Sequence, residues 1–483
     1  MSLKERTEAR RRDALGGLDP AKQSAMGQFF TPAKAADLIA SMLRVDGLSG
    51  VVRVLDPGAG AGSLTVALLE RITSERPDLD VEATVVEVDP HVIPALRSTL
   101  GDLESTHGVR TRLVEGDYVA LATMGDPRVT GPFDLVIQNP PYGKLPSADP
   151  HRVATAVKTV DTPNVYSAFW ALAVDSLAPG GQCVTIVPRS WANGTYFSAF
   201  RKWLLSQIGL DRLHVFESRS TVFADSGVLQ ENVIVSGTRG AWPDEVVLSA
   251  SVGHNDHVDI KSVSSKIVVV PGDKHQFVRF TDGATNVPAA AKFTLADLGI
   301  KASTGRVVDF RSRDWLVTEP TDNTVPMVYQ ANVRHGRITH PLSRAPKPQW
   351  FVVEVDRARK LTNVPGNYVV IKRFSAKEER RRVVAGVWDR PGVVAFDNKT
   401  NYLHENGSPL EPLLAQGLAV WLNSTPLDEV FRTFSGHTQV NAGDLGVLPF
   451  PSRDDLVELG AALPGELSDQ DLIDKVVEQV LSA

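Results

Sequence analysis

The sequence predicts an α/β fold, built on a parallel sheet covered on both faces and followed by a second, mixed and β-rich domain. Between Met26 and Gly240 short apolar runs alternate with helical patterns. Those runs are close to continuously apolar, as strands buried on both faces are, and do not alternate as half-exposed strands do. After Gly240 the long helical patterns become scarce, and β-like runs broken by Gly, Pro and Asn take over. At 483 residues the chain also exceeds what one compact core accommodates.

Taken in order, residues 1–25 form a polar helical arm, 26–245 the α/β domain and 246–483 the second domain. The predicted strands of the α/β part are VVRVLDP, EATVVEVDP, TRLVEGD, FDLVIQNP, CVTIVP and LHVFES, each ending in Asp, Glu, Asn, Pro or Ser. LTVALLERI and VYSAFWALAVDSLAPGG are helical, the latter closing at a Pro-Gly-Gly stop. EVVLSASV, KIVVVPG, FVVEV, NYVVIK and GVVAF are predicted strands of the second domain. ELSDQDLIDKVVEQVL is a terminal helix opened by Ser-x-x-Asp. In a parallel sheet covered by helices, ligands bind outside the carboxyl ends of the strands, so the residues just after each strand carry most weight.

Composition removes several classes. With 42% apolar and 22% charged residues, the chain is neither disordered nor fibrous. No run reaches the ~18 apolar residues of a spanning helix, and the start MSLKERTEARRRDALGG lacks the apolar stretch of a secretory signal. The expected location is therefore cytoplasmic. Cys183 is the single cysteine; it excludes an internal disulfide and a multi-cysteine metal site, and it is expected to be a buried structural thiol. No metal is expected. The net charge of -6 hides an asymmetry: Lys301 to Leu410 holds 19 Lys and Arg against 11 Asp and Glu, +8, so the remainder carries -14. A basic segment on an acidic remainder fits either phosphate contact by one domain or a solvated basic face.

Four strand ends carry chemistry. VLDPGAGAGSL sets Asp56, Gly58, Gly60 and Gly62 between a strand and a helix, where glycines allow a tight turn and close approach to a ligand. VVEVDP ends the next strand in Glu87 and Asp89, and an acid there can accept both hydrogen bonds of a ribose diol. LVEGDY places Asp117 to accept from an adenine amino group, with Tyr118 able to flank the ring. A Gly loop followed by two strand-end acids describes a nucleoside site. It lacks GxGxxG and GK[ST], which argues against a dinucleotide or a nucleoside triphosphate. Asn139-Pro140-Pro141-Tyr142 follows the fourth strand. The lone pair of an aromatic amine is delocalised into its ring, and two acceptors on the NH2 pull the nitrogen toward a tetrahedral shape and localise that pair. Asn139 offers a side-chain oxygen and Pro140 a carbonyl, on a loop stiffened by two prolines, and Tyr142 can stack on a base. No Ser/His or Cys/His pair is evident.

These motifs resemble those of the gamma-class, TaqI-like adenine-N6 DNA methyltransferases of restriction-modification systems, well over about Gly27 to Gly240 and more loosely beyond. The resemblance implies a Rossmann-like catalytic domain that binds S-adenosylmethionine and a C-terminal target-recognition domain. Gly27-Gln28-Phe29-Phe30-Thr31-Pro32 matches the family's opening motif, which implies that Thr31 and Pro32 bind the methionine part. By the same resemblance Asp56 and the glycines lie at the methionine end, Glu87 at the ribose and Asp117 at the adenine, and Asn139 to Tyr142 form the catalytic motif. SRSTVFADSGVLQENVIV resembles the segment that supplies an aromatic to the extruded base, making Phe223 the candidate and Phe216 the fallback. Lys372, Arg373, Arg380, Arg381 and Arg382 are candidate DNA phosphate contacts, and a structural or DNA-facing role is expected for His437. Double-stranded DNA is the expected partner, with a separately encoded restriction endonuclease sharing its sequence. A monomer, associated with a prokaryotic nucleoid and without an endonuclease domain of its own, is expected. Protein-glutamine and RNA base-amine methylation remain alternatives, as does an inactive DNA-binding module.

Overall fold

The computed structural model describes residues 1–16, 31–216, 231–251, 258–283, 286–334, 336–376, 379–435 and 438–482. They fall into two compact units, Met1–Gly283 and Ala284–Ala483.

The first unit contains β1 (Val51–Asp56), β2 (Asp80–Glu87), β3 (Arg110–Glu115), β4 (Phe133–Gln138), β5 (Leu177–Pro188), β6 (Ile208–Phe216), β7 (Asn232–Arg239), β8 (Glu245–Ser251) and β9 (Asp259–Ser264). Among the described residues these make one sheet in the order β3-β2-β1-β4-β5-β7-β6-β8-β9. Strands β3 to β5 in that order are mutually parallel, whereas β7 runs antiparallel to both β5 and β6. Both faces are buried, as the unbroken apolar runs predict. Leu55, Val86 and Val136 enter one core cluster, and Val54, Val85 and Leu135 the other. The first cluster holds Trp170 edge-on to Trp191, with ring centroids 4.9 Å apart.

Helices α1 (Leu3–Gly16), α2 (Ala33–Ser41), α3 (Ser63–Glu75), α4 (Ile93–His107), α5 (Tyr118–Thr123), α6 (Pro150–Lys158), α7 (Val165–Asp175) and α8 (Ser198–Gln207) surround this sheet. The polar arm is α1. Arg6 and Arg10 reach Asp102 of α4 at 2.9 and 2.8 Å, and Leu3 supplies a buried apolar anchor. Such part-exposed ion pairs contribute ~1 kcal/mol or less each, so they orient the arm more than they stabilise it.

Four local expectations change. The α/β unit continues past residue 245, because β8 pairs in parallel with β6 (Arg212 beside Val247) and β9 with β8; the β-rich texture after Gly240 first extends the sheet. Helix α7 stops at Asp175, and Leu177–Pro188 is strand, so Pro179-Gly180-Gly181 bulges the start of β5 instead of capping a helix. Part of KIVVVPG forms the short helix α9 (Ser265–Val268), capped by the Ser264 side chain. The terminal helix is capped by Asp469, which accepts from the Asp471 and Leu472 amides, one residue later than the Ser-x-x-Asp reading.

Among the described residues of the second unit, a six-stranded and a five-stranded sheet are accompanied by α10 (Pro412–Leu422), α11 (Thr425–Phe434), α12 (Arg453–Ala462) and α13 (Gln470–Leu481). FVVEV, NYVVIK and GVVAF supply strands here, as predicted. Helices α10 and α12 cross through glycines. A Cβ on Gly417 would lie 1.6 Å from the Leu456 carbonyl oxygen, and one on Gly460 2.0 Å from that of Leu413. Backbone cannot yield as a flexible side chain can, so Gly417→Ala is expected to destabilise this unit by about 3 kcal/mol. Urea unfolding followed by circular dichroism checks this, and a change below ~1 kcal/mol refutes the crossing.

Candidate active site

Strand order reverses between β1 and β4: from β1 the chain builds outward through β2 and β3, and from β4 through β5. Such a reversal opens a crevice at the carboxyl edge of a parallel sheet. The Gly loop follows β1 and the Asn-Pro-Pro-Tyr corner follows β4, so the two flank this crevice. In-register pairing of Glu87 with Glu115 brings the ends of β2 and β3 to the same edge.

A cavity of about 430 Å³ lies there, a volume ordinary for a cofactor or small-molecule site. Gly58, Gly60, Glu87, Asp117, Asn139 and Pro141 line it, with Thr31, Tyr118, Leu145 and Phe169. Eight of the residues singled out from the sequence therefore meet around one cavity. Gly62 starts α3 at φ +91°, where a Cβ would sit 3.0 Å from Thr99, so glycine is required by conformation and by space.

Glu87 joins the parts. One carboxylate oxygen accepts from the Gly60 amide at 2.8 Å, and the other accepts from the Val88 and Asp89 amides at 2.9 Å. Burial raises its pKa against these three bonds. A carboxylate offers about four lone-pair positions, which leaves an acceptor for a hydroxyl in the cavity. Asp117 caps α5 through the Ala120 amide at 2.9 Å, and its second oxygen lies 3.4 Å from Nε2 of His151. Tyr118 and Phe169, with ring centroids 5.1 Å apart, supply an aromatic wall beside it.

Asp56 and Pro32 do not line the cavity. Asp56 is buried beneath the loop, where it accepts from the Thr65 hydroxyl at 2.7 Å. Burial first, with the charge of Glu87 adding to it, pushes its pKa up to about 7. It supports the loop from beneath, because the strand's last side chain turns under the glycines. Pro32 sets the first turn of α2.

The corner after β4 is held at both ends. Nδ2 of Asn139 donates to the Thr31 hydroxyl at 3.0 Å, and the Tyr142 hydroxyl is 3.3 Å from both Oδ1 of Asn139 and the Ile186 carbonyl. Among the described residues no N–H is directed at the Pro140 carbonyl. The Tyr142 ring stands edge-on to Tyr166 at 6.2 Å, and burial raises the pKa of its hydroxyl. Of this corner Asn139 and Pro141 line the cavity, while Pro140 is buried and Tyr142 packs behind them.

A family model described as Eco57I restriction-modification methylase matches residues 109–223. The chain is 38% identical to the type II methyltransferase M.BsuBI of Bacillus subtilis over 91% of its length and 90% of that protein's. It is 34% identical to the type II methyltransferase M.PstI of Providencia stuartii over 100% of its length and 98% of that protein's. The chain belongs to the type II methyltransferases of restriction-modification systems. Its fold is also similar to that of the type IIL restriction-modification enzyme MmeI, solved in complex with DNA, at TM-score 0.57 and 12% identity, over 100% of this chain and 77% of that one.

In this methyltransferase the basic run after β10 (Tyr368–Lys372) divides into outward and inward members. Arg380 is exposed, and Lys372 is half-buried, its pKa lowered by burial and by nearby Arg334. Arg373 is half-buried and donates to the Asn398 carbonyl at 3.0 Å. Arg381 turns inward to Gln470 and Thr425, at 2.8 and 2.7 Å. Arg382 is 0% exposed and bonds to Ser375 and Ser435. Arg381 and Arg382 are therefore corrected from phosphate contacts to interior ties, because a run of like charges does not reveal which members find buried acceptors. Phe216 is packed in the core and is no stacking partner. Phe223 and His437 lie outside the described residues. Sequence reasoning missed His151 and Phe169. His151 was legible in principle, since Asp149-Pro150 marks a helix start whose first turn faces the crevice.

A folded-state pKa of about 7 for Asp56 lies above its ordinary 3.8, so the native chain holds a proton that the unfolded chain releases. This contribution to stability is complete below the unfolded value and is lost as pH rises through about 7. Asp56→Asn is expected to flatten that decline. Urea midpoints at about pH 5 and about pH 8 measure it, and an unchanged slope assigns the decline to other groups.

Proposed function

We propose that this chain methylates the N6 amino group of an adenine flipped out of duplex DNA, within a specific sequence, using S-adenosylmethionine. The observation that carries the reading is the Asn139 to Tyr142 corner, whose Asn139 and Pro141 line the cavity and whose amide oxygen and Pro140 carbonyl would serve as paired acceptors.

The cavity's donor set fits the cofactor. Glu87 keeps an acceptor for the ribose hydroxyls, Asp117 one for the adenine amine, and Tyr118, Leu145 and Phe169 give apolar walls for the ring. Thr31 and the Gly loop stand at the remaining, methionine end. S-adenosylmethionine, when bound, supplies an electrophilic methyl group on a sulfonium. Asn139 and the Pro140 carbonyl accept from the target NH2, localise its lone pair and aim it along the line of displacement. Tyr142 stacks on the extruded base, a contact of about 1–3 kcal/mol that offsets part of the cost of unstacking. Residues 284–483 form the target-recognition domain, with exposed Arg380 and half-buried Lys372 meeting phosphates. A partner endonuclease of the same specificity and action as a monomer complete the reading.

Asn139→Ala is expected to lose about 10²–10³-fold in kcat while cofactor affinity is kept. Tritium transfer from labelled cofactor to duplex DNA, RNA and protein measures this, and label on glutamine, on RNA or on cytosine overturns the adenine reading. Arg380→Ala is expected to weaken DNA binding and to lower the salt slope by about 1. Arg382→Ala is expected instead to lower the unfolding midpoint; the reverse pattern would reassign both arginines.

A further inference from the structure

We infer that Thr31 is a positioning residue for methyl transfer: its hydroxyl holds the nitrogen end of the Asn139 amide, so that the oxygen end is left for the acceptor amine. This rests on the reading of Asn139 given above and adds a role for Thr31 beyond the methionine contact that the sequence motif implies.

An asparagine amide has two ends of nearly equal size and opposite chemistry. Oδ1 accepts and Nδ2 only donates. The backbone at the end of β4 sets where the Asn139 side chain begins, but rotation about its last bond is broad and roughly two-fold. When an amine donates to Oδ1, Nδ2 needs an acceptor on its far side, and Thr31 Oγ1 lies there at 3.0 Å. The tie links residues 108 positions apart, so no local turn enforces it. Thr31 is 5% exposed and directly precedes Pro32, the N-cap of α2, whose Ala35, Ala36 and Ile39 are buried. The acceptor is thus built on a fixed support. At the oxygen end the Tyr142 hydroxyl is equidistant, at 3.3 Å, from Asn139 Oδ1 and the Ile186 carbonyl. One proton shared over such long distances constrains the amide weakly, and it leaves Oδ1 able to receive the substrate. A hydrogen bond accepted from Nδ2 also draws charge onto Oδ1, which makes it the stronger acceptor.

Thr31→Val keeps the shape and removes the acceptor, whereas Thr31→Ser keeps the oxygen. In single turnovers with saturating S-adenosylmethionine and duplex, Thr31→Val is expected to slow methylation about fivefold to tenfold. Saturating cofactor removes from this rate whatever the substitution costs at the methionine end, and cofactor binding measured by calorimetry reports a folded site. Thr31→Ser is expected to restore the rate. In an Asn139→Ala background, with slow tritium-counted turnovers, Thr31→Val should cost nothing further, because the two act as one unit. A wild-type rate in Thr31→Val overturns the inference. So does an equal loss in the Asn139→Ala background, or a loss confined to cofactor Kd. The wild-type product, analysed for its labelled base, tests the adenine reading separately: label on another acceptor sinks that reading, while the valine-to-serine comparison on that acceptor still decides Thr31.

Discussion

Parallel alignment of β1 to β4 is the constraint on which the site depends. Parallel neighbours put their carboxyl ends on one edge, so residues far apart in the chain arrive side by side: the Gly loop, Glu87, Asp117 and Asn139. The reversal of strand order at β1 and β4 then leaves a gap at that edge that no crossover helix fills. The Glu87 carboxylate closes the arrangement by receiving the Gly60 amide, which ties the loop after β1 to the end of β2.

Burial of two acids beneath and beside the same loop is electrostatically costly, and the structure answers it differently in each case. Glu87 stays engaged with three backbone amides and keeps a face toward the cavity. Asp56 has the Thr65 hydroxyl and a deeper position, and burial carries its pKa to about 7. One acid thereby lines the cavity and the other supports the turn beneath it, although both stand at strand ends and look alike in sequence.

The relatives place the chain among restriction-modification methyltransferases over its full length. Beyond the sheet the correspondence with sequence weakens. The basic run after β10 shows it: Arg380 faces solvent, whereas Arg382, two residues on, is sealed against Ser375 and Ser435.

The strand-end motifs, the stiff Asn-Pro-Pro-Tyr corner and the doubly buried strands were legible from the sequence because each is a local pattern: a turn that needs glycine, a proline that fixes φ, an unbroken apolar run. Where the first unit ends, that Asp56 turns under its loop, that Phe216 is core, and that Thr31 meets Asn139 across the chain were decided only by tertiary structure. Those facts depend on which groups burial brings together and on which buried donors find acceptors, and neither is encoded in the spacing of residues along a single strand or helix.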